Sequence, residues 1–171
     1  MTTTTSPDRA PVAPTGCCPP FDPAPYQDRE VVWHDKLFVK EHVRSVFHIP
    51  LNMGSIIGHA QEKIVAAGAG PAQPLMLSDE ISPWRSDLYI DVTRLVPEME
   101  MATLTGTFLT RVYDGPYRDI PKWVDDMKRH VASRGRVLRK LYFAYTTCPR
   151  CAKAYGHNHV VLFAQVEPAE H

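Results

Sequence analysis

The sequence is poor in cysteine and carries no excess of charge of either sign. Its 171 residues include four cysteines, and 19 basic residues balance 19 acidic ones. A nucleic-acid partner would require a basic stripe, and the cations of MKRH and RGRVLRK are scattered. No apolar run approaches the about 18 residues of a membrane span, and MTTTTSPDRAPVAPTG lacks the apolar core of a signal peptide. We therefore expect a cytoplasmic protein with no nucleic-acid or membrane partner.

The first half of the chain predicts one helix among three strands. Residues 1–20 have the composition of a disordered lead-in, and residues 21–171 are long enough for a single domain. VRSVFHIPL predicts a strand that begins near Lys40 and ends at Pro50, and the helix that follows begins after Asn52. LMLSDE and SDLYIDVTRLV predict two further strands.

The second half repeats this order of elements. EMATLTGTFLTRVYDG predicts a strand with a bulge or bend at Gly106. A helix then follows Asp119 and ends before Gly135, and LRKLYFAYTT and HVVLFAQVE predict the closing strands, with CPRC in the loop between them. The apolar stripe of this helix consists of Ile120, Trp123, Val124, Met127 and Val131.

Two β-α-β-β halves, over about residues 40–93 and 99–167, predict an α+β fold. The halves are expected to form one antiparallel sheet with both helices on one face. The other face is then expected to remain open as a ligand cleft.

The stretch FLTRVYDGPYRDIPKWVDDM resembles the second half of GyrI-like small-molecule-binding domains. In that family a strand ends in a Gly-Pro-aromatic turn and leads to a helix with an early Trp, here Gly115, Pro116, Tyr117 and Trp123. GCCPPFDPAPY, FHIPLN, LMLSDEISPW and YTTCPRCAKAYG are similar to a bacterial and archaeal subgroup labelled hydrolase. The resemblance implies a concave pocket, with aromatic walls and a carboxylate, for bulky and often cationic ligands.

Three functions follow from this resemblance and stay open. One is a hydrolase similar to the cyclopropanoid cyclopropyl hydrolases, which open the strained ring of DNA-alkylating compounds by addition of water and protect the producing cell. The second is a non-catalytic protein that sequesters drugs, and the third is an inhibitor that binds a protein partner. The chain has no room for the helix-turn-helix of the regulators in this family. Their pocket glutamate also has no counterpart in YFAYTTCPRC, so another carboxylate must take its role.

The segment SDEISPW supplies that carboxylate as Glu80 or Asp79. Adjacent residues of a strand face opposite sides, so only one of the two acids can face the cleft as a general base. The alternative is a pair of solvated turn residues. His48 shares a strand face with Arg44 and is the candidate acid, or else a half-buried histidine with a structural hydrogen bond.

Aromatic residues near these acids are the candidates for substrate binding. The ligand would be flat and hydrophobic, held by stacking, on a protein that is a monomer or a homodimer. Tyr89 and Tyr142 are expected on the cleft face by strand alternation. The full set of candidates is Trp84, Tyr89, Tyr142, Tyr145, Tyr113 and Tyr117.

The four cysteines are interpreted separately from catalysis, which requires no cofactor. Cys17, Cys18, Cys148 and Cys151 can supply the four ligands of a structural zinc, with His157 or His159 in place of one of them. Unligated thiols and a disulfide or redox pair are the alternatives. A thioredoxin-like role is disfavoured, because too few residues follow Cys151 for the long helix of that fold.

Overall fold

The structure is a computed structural model that describes residues 21–47, 49–146 and 149–168. It consists of an antiparallel sheet and helices in the order that the sequence predicts, and the described residues add a two-residue strand, a short α-helix and two 3₁₀ helices of three residues each. The strands are β1 (Arg29–Val46), β2 (Ile49–Pro50), β3 (Met76–Ser82), β4 (Arg85–Asp91), β5 (Met101–Asp114), β6 (Leu138–Tyr145) and β7 (His159–Val166), and the helices are α1 (Met53–Ala66), α2 (Ile120–Ser133) and α3 (Pro149–Tyr155).

The sheet closes on itself because β1 is long enough to pair on both sides. Its first part pairs with β5 and its second part with β4, and the two registers overlap at Phe38 and Val39. The order around the ring is β1-β4-β3-β6-β7-β5, and β2 pairs only with β1. The predicted duplication is present, since β1-β4-β3 and β5-β7-β6 have equivalent orders. The prediction of an open sheet was wrong.

Both long helices cover the outer face of this closed sheet. On α1, Ala60 and Ile64 pack in one cluster with Val39 and Ile90. On α2, the predicted stripe packs against alternate residues of β5, β6 and β7, and Trp123 is buried there. No helix among the described residues is long and apolar enough to cross a membrane.

The inner face of the sheet is filled by aromatic rings. Phe38, Phe108 and Phe163 are fully buried there, and Tyr89 and Tyr142 meet edge to face with ring centroids 5.9 Å apart. The segment before β1 adds further rings, since Phe21 and Tyr26 pack on the same cluster. The face that was expected to form a cleft is therefore part of the core.

Several boundaries differ from the prediction. β1 begins at Arg29 rather than near Lys40, and the chain turns at Phe47, so that the predicted strand ends before Pro50. The loop predicted for CPRC contains α3 instead. Asn52 and Asp119 precede their helices, but neither side chain makes a capping hydrogen bond.

Two glycines in β5 and its turn have backbone angles that favour glycine. Gly106 has φ +143° and lies opposite the shift in the β1–β5 register between Trp33 and Lys36, so the predicted irregularity is confirmed. Gly115 has φ +153°, and a Cβ atom there would lie 3.3 Å from the Trp123 ring. The Gly-Pro-aromatic turn therefore permits close packing against the first turn of α2.

Candidate functional site

Four polar side chains form a row across the inner face of the sheet. His42 of β1 pairs in register with Asp87 of β4, and Asp87 pairs with Asp79 of β3. Ser78 pairs with Phe143, which brings Asp79 beside Tyr142 of β6. Side chains of directly paired residues lie about 5 Å apart on the same face of a sheet. This set of His42, Asp87, Asp79 and Tyr142 is called the polar row below.

The acids of this face are held by lysines. Asp79, Asp87 and Asp91 are buried, and they pair with Lys140 at 2.5 Å, Lys40 at 3.7 Å and Lys36 at 3.0 Å. Buried carboxylates require such partners because loss of hydration is costly.

Each of these lysines also lies over an aromatic ring of the core. The ammonium groups of Lys40 and Lys140 are 5.6 Å from the centre of the Tyr89 ring and 5.4 Å from that of Tyr142. Lys36 lies 5.7 Å from the Trp33 ring centre. Cation–π attraction therefore adds to the ion pairs, and the three lysines cover one side of the aromatic core.

His42 is placed between two carboxylates. Its Nδ1 lies 2.7 Å from Asp87 and its Nε2 lies 2.9 Å from Glu100. The hydrogen bond to Asp87 raises the pKa of His42, and the bond to Glu100 adds to this effect against some loss of hydration. Burial alone would raise the pKa of Asp87, but hydrogen bonds from His42 and Arg85 outweigh it and lower that pKa. Asp87 is therefore an ionised partner that orients the imidazole.

A pocket of about 570 Å³ opens at the His42 end of the polar row. Its volume lies in the range of small-molecule sites. Trp84 forms an exposed aromatic wall, with its ring centre 5.0 Å from that of Phe47. The lining residues are His42, Val43, Arg44, Ser45, Leu51, Asn52, Trp84 and Arg85.

The sequence profile of a family described as Bacterial hydrolase matches residues 9–166 of the chain. The chain belongs to this family. No curated protein matches the sequence.

The fold of this bacterial hydrolase family member is shared by a solved structure. The crystal structure of the EcmrR C-terminal domain is similar with a TM-score of 0.64 and 11% sequence identity, and the match covers 84% of this chain and 99% of that one. A structure of SAV2435 bound to tetraphenylphosphonium is less similar, with a TM-score of 0.49 and 8% identity over 81% of this chain and 93% of that one.

The two adjacent acids face opposite sides of β3, as strand alternation predicts. Asp79 faces inward in the polar row. Glu80 accepts a hydrogen bond from Ser78 at 2.9 Å and contributes to the raised pKa of Tyr145, which places it on the outer side. Neither acid lines the pocket beside His42. His48 lies outside the described residues, so its predicted role as the acid stays a prediction.

The six aromatic candidates do not come together in one site. Tyr89 and Tyr142 belong to the inner core, and Trp84 lies in the pocket beside His42. Tyr113 and Tyr145 face α2 instead, because odd-numbered residues of β5 and β6 point outward.

Tyr113 has structural partners on that outer face. It stacks on Trp123 and donates a hydrogen bond to Asp126. Burial is the main cause of the raised pKa of Tyr113, and the hydrogen bond to Asp126 adds to it. Tyr117 meets Tyr145 edge to face and lines a separate pocket of about 360 Å³. These tyrosines are therefore positioned to stabilise the α2 layer.

Only Cys151 of the four cysteines lies within the described residues, and it is buried on α3. The His157 and His159 rings follow at 4.4 Å from each other. Within residues 21–47, 49–146 and 149–168, no three metal-binding side chains form a cluster. Cys17, Cys18 and Cys148 lie outside these ranges, so the zinc site stays a prediction.

Sequence reasoning missed His42, Asp87 and Glu100. Alternation from His48 back through Arg44 leads to His42, and alternation from Tyr89 leads to Asp87 and Asp91. The signal for an inward polar face was therefore present in both strands. Their pairing was not predictable, because it depends on the register of β1 with β4.

Proposed function

We propose that the chain is a hydrolase that binds a flat, electrophilic small molecule in the pocket beside His42 and adds water to it. The observation that carries this proposal is the contact between His42, which lines the pocket, and the buried Asp87. A histidine oriented by a carboxylate is an effective general base. Membership of the bacterial hydrolase family supports the reaction class.

We assign the role of general base to His42 rather than to Asp79 or Glu80 of SDEISPW. Asp79 is buried, is held by Lys140 and does not line the pocket, whereas His42 is about half exposed there. Glu100, which contacts Nε2, is also about half exposed, so a water molecule can replace it. Asp87 holds Nδ1 and stabilises the imidazolium that forms when Nε2 accepts a proton.

The most specific substrate class within this proposal is that of compounds in which a spirocyclopropane is joined to a dienone. His42 accepts a proton from water as the water oxygen bonds to a cyclopropane methylene carbon. The carbon–carbon bond to the ring breaks, and its electron pair enters the dienone to give an aromatic phenolate. The phenolate oxygen, within reach of a pocket cation such as Arg85, finally takes the proton from His42 or solvent. The net reaction is the addition of one water molecule to the substrate.

Trp84 supplies the aromatic surface for such a ligand. Its indole is exposed at the pocket wall and contacts Phe47, which is exposed as well. Stacking on these rings holds the plane of the ligand, so that water and the methylene carbon can meet in a fixed geometry. The buried Tyr89 then packs edge to face on Tyr142 of the polar row.

Incubation of the protein with a spirocyclopropyl-dienone tests the proposal. The expected result is conversion to the ring-opened alcohol with multiple turnovers, which liquid chromatography with mass detection measures. A ligand that binds in titration calorimetry and remains unchanged would refute the hydrolase proposal.

A non-catalytic binding protein is the second candidate, and the lysines over the aromatic core favour it. Each ammonium group occupies the position that a hydrophobic cation would take over Tyr89 or Tyr142. Such a protein would bind flat cations with no product formed. A protein-interaction inhibitor, the third alternative, would instead co-purify with a large partner.

A structural zinc that ties the N-terminal segment to the last hairpin is proposed separately. Cys151 on α3 is followed in the chain by His157 and His159, whose rings lie together, so this segment carries three residues of the types that bind zinc. Such a site would stabilise the fold and take no part in the hydrolysis.

A further inference from the structure

The pocket beside His42 contains two arginines that face each other across strands. Arg44 of β1 and Arg85 of β4 are directly paired in register, and both line the pocket. Like charges at paired positions repel and weaken the sheet. An anion bound between the two guanidinium groups would offset this repulsion.

The two arginines differ in their partners. Arg85 pairs with Asp87 at 3.2 Å, so it is tied to the polar row. Arg44 makes no side-chain ion pair or hydrogen bond with any residue in the described ranges, and it is exposed. Its guanidinium is therefore available to a ligand, and its planar donors fit a carboxylate or an oxyanion of sulfur or phosphorus.

The aromatic wall next to this arginine is held in a strained turn. Phe47 has φ +47°, an angle that bulky residues rarely adopt. Its ring is 71% exposed and the Trp84 ring is 55% exposed, yet they contact each other. A strained backbone and exposed aromatic rings both lower the stability of the fold. Their presence at a pocket therefore indicates a function, which we take to be stacking on a ligand.

We propose that this pocket selects an aromatic ligand that carries an anionic group, with the ring on Trp84 and the anion on Arg44. The inference rests on the proposed function in one respect, since it defines the substrate class of the same site. A cationic ligand is disfavoured here, because Arg44, Arg85 and the imidazolium form of His42 would repel it.

Three naphthalene derivatives test the charge preference at constant shape. 2-Naphthoate is the probe, 2-naphthamide is its neutral match and 2-naphthylmethylammonium is its cationic match. Titration calorimetry at low salt is expected to show naphthoate binding at least about tenfold tighter than either match. Equal affinity for naphthoate and naphthamide would overturn the proposal.

Variants locate the contacts. Arg44→Met is expected to reduce naphthoate affinity to the naphthamide level, and Trp84→Leu is expected to weaken both ligands. Arg129→Met, which removes an exposed arginine of α2, is the matched control and is expected to leave affinity unchanged. Unchanged naphthoate binding in Arg44→Met or in Trp84→Leu would contradict the site.

The outcomes separate this inference from the proposed reaction. Naphthoate binding that depends on Arg44, without turnover of any strained electrophile, would support the anion site and refute the hydrolase. The opposite outcome has two parts: the wild type and Arg44→Met turn over a neutral spirocyclopropyl-dienone at the same rate, and calorimetry shows equal affinity for naphthoate and naphthamide. This outcome would support the hydrolase and refute the anion site.

Discussion

The His42 imidazole and the Asp87 carboxylate are joined by a 2.7 Å contact between directly paired residues of β1 and β4. The carboxylate is buried and the imidazole is about half exposed at a pocket. This combination gives a histidine whose orientation is fixed from the core and whose other nitrogen faces a removable partner. The general-base role proposed for His42 rests on this combination.

The first prediction concerns the titration of His42. Because Asp87 is the main cause of its raised pKa, Asp87→Asn is expected to lower that pKa toward or below the ordinary value of about 6.5. Measurement of the imidazole C–H proton by NMR between about pH 5 and 9 gives both values. His59→Gln, at an exposed position of α1, identifies a second resonance and serves as the control. An unchanged His42 pKa in Asp87→Asn would contradict the contact.

The second prediction is a pH dependence of stability with a defined sign. A group whose pKa is higher in the folded state than in the unfolded state stabilises the folded state at pH values below its unfolded pKa. This contribution is lost as the pH rises through its folded pKa. The stability difference between the wild type and His42→Gln is therefore expected to be largest below the unfolded pKa of about 6.5, while Asp87 stays ionised, and to shrink as the pH rises through the pKa of His42 in the folded protein. Urea unfolding at several pH values measures it. A difference that grows with pH would be the wrong sign.

The third prediction tests the lysine that holds Asp79. Lys140→Met leaves a buried carboxylate without its cation, at an expected cost of about 2 kcal/mol in the free energy of unfolding. This figure is discounted because Lys140 is 41% exposed. Lys122→Met removes an exposed ion pair of α2 and is expected to cost less than about 0.5 kcal/mol. Equal effects of the two changes in urea unfolding would show that Asp79 is solvated.

The fourth prediction tests whether the inner face of the sheet is core. Phe163→Ala removes a fully buried ring from that face and is expected to cost about 3–5 kcal/mol. An open cleft would instead leave this ring partly solvated in the free protein. Thermal unfolding would then show a loss below about 1 kcal/mol, contrary to the structure.

The elements of this fold were predictable, but the closure of the sheet was not. Alternation in β3 to β7 and the stripe of α2 gave the duplicated β-α-β-β order. In β1, the polar His34 and Asp35 interrupt the alternation where the register with β5 shifts, and Asp35 has φ +49°. A strand with such an irregularity resembles a loop in sequence. Without the first part of β1, most of the edge of β5 opposite β7 has no partner strand, and the sheet stays open.

The site was predicted only in part for a related reason. Trp84 was named from SDEISPW, and strand alternation predicted that one of Asp79 and Glu80 faces inward without deciding which. His42 and Asp87 are far apart in the sequence, and their contact depends on a strand register that spacing does not define. Tyr113, which lies beside the Gly-Pro turn, and Tyr145 were both among the candidates for substrate binding, whereas their strand parity places them against α2.

The fifth prediction concerns metal. A structural zinc predicts close to one equivalent in protein purified without a histidine tag, and Cys151→Ser is expected to lower both the zinc content and the melting temperature. Plasma mass spectrometry measures the content. Less than about a tenth of an equivalent in the wild type would exclude the site.

The central claim is tested most directly by the rate of ring opening in three variants. His42→Gln and Asp87→Asn are expected to lower kcat/KM for a spirocyclopropyl-dienone by about 100-fold or more. Glu80→Gln alters an acid of the neighbouring strand that faces the outer side, and it is expected to keep the wild-type rate. Full activity in folded His42→Gln, or a loss in Glu80→Gln equal to that in His42→Gln, would contradict the account.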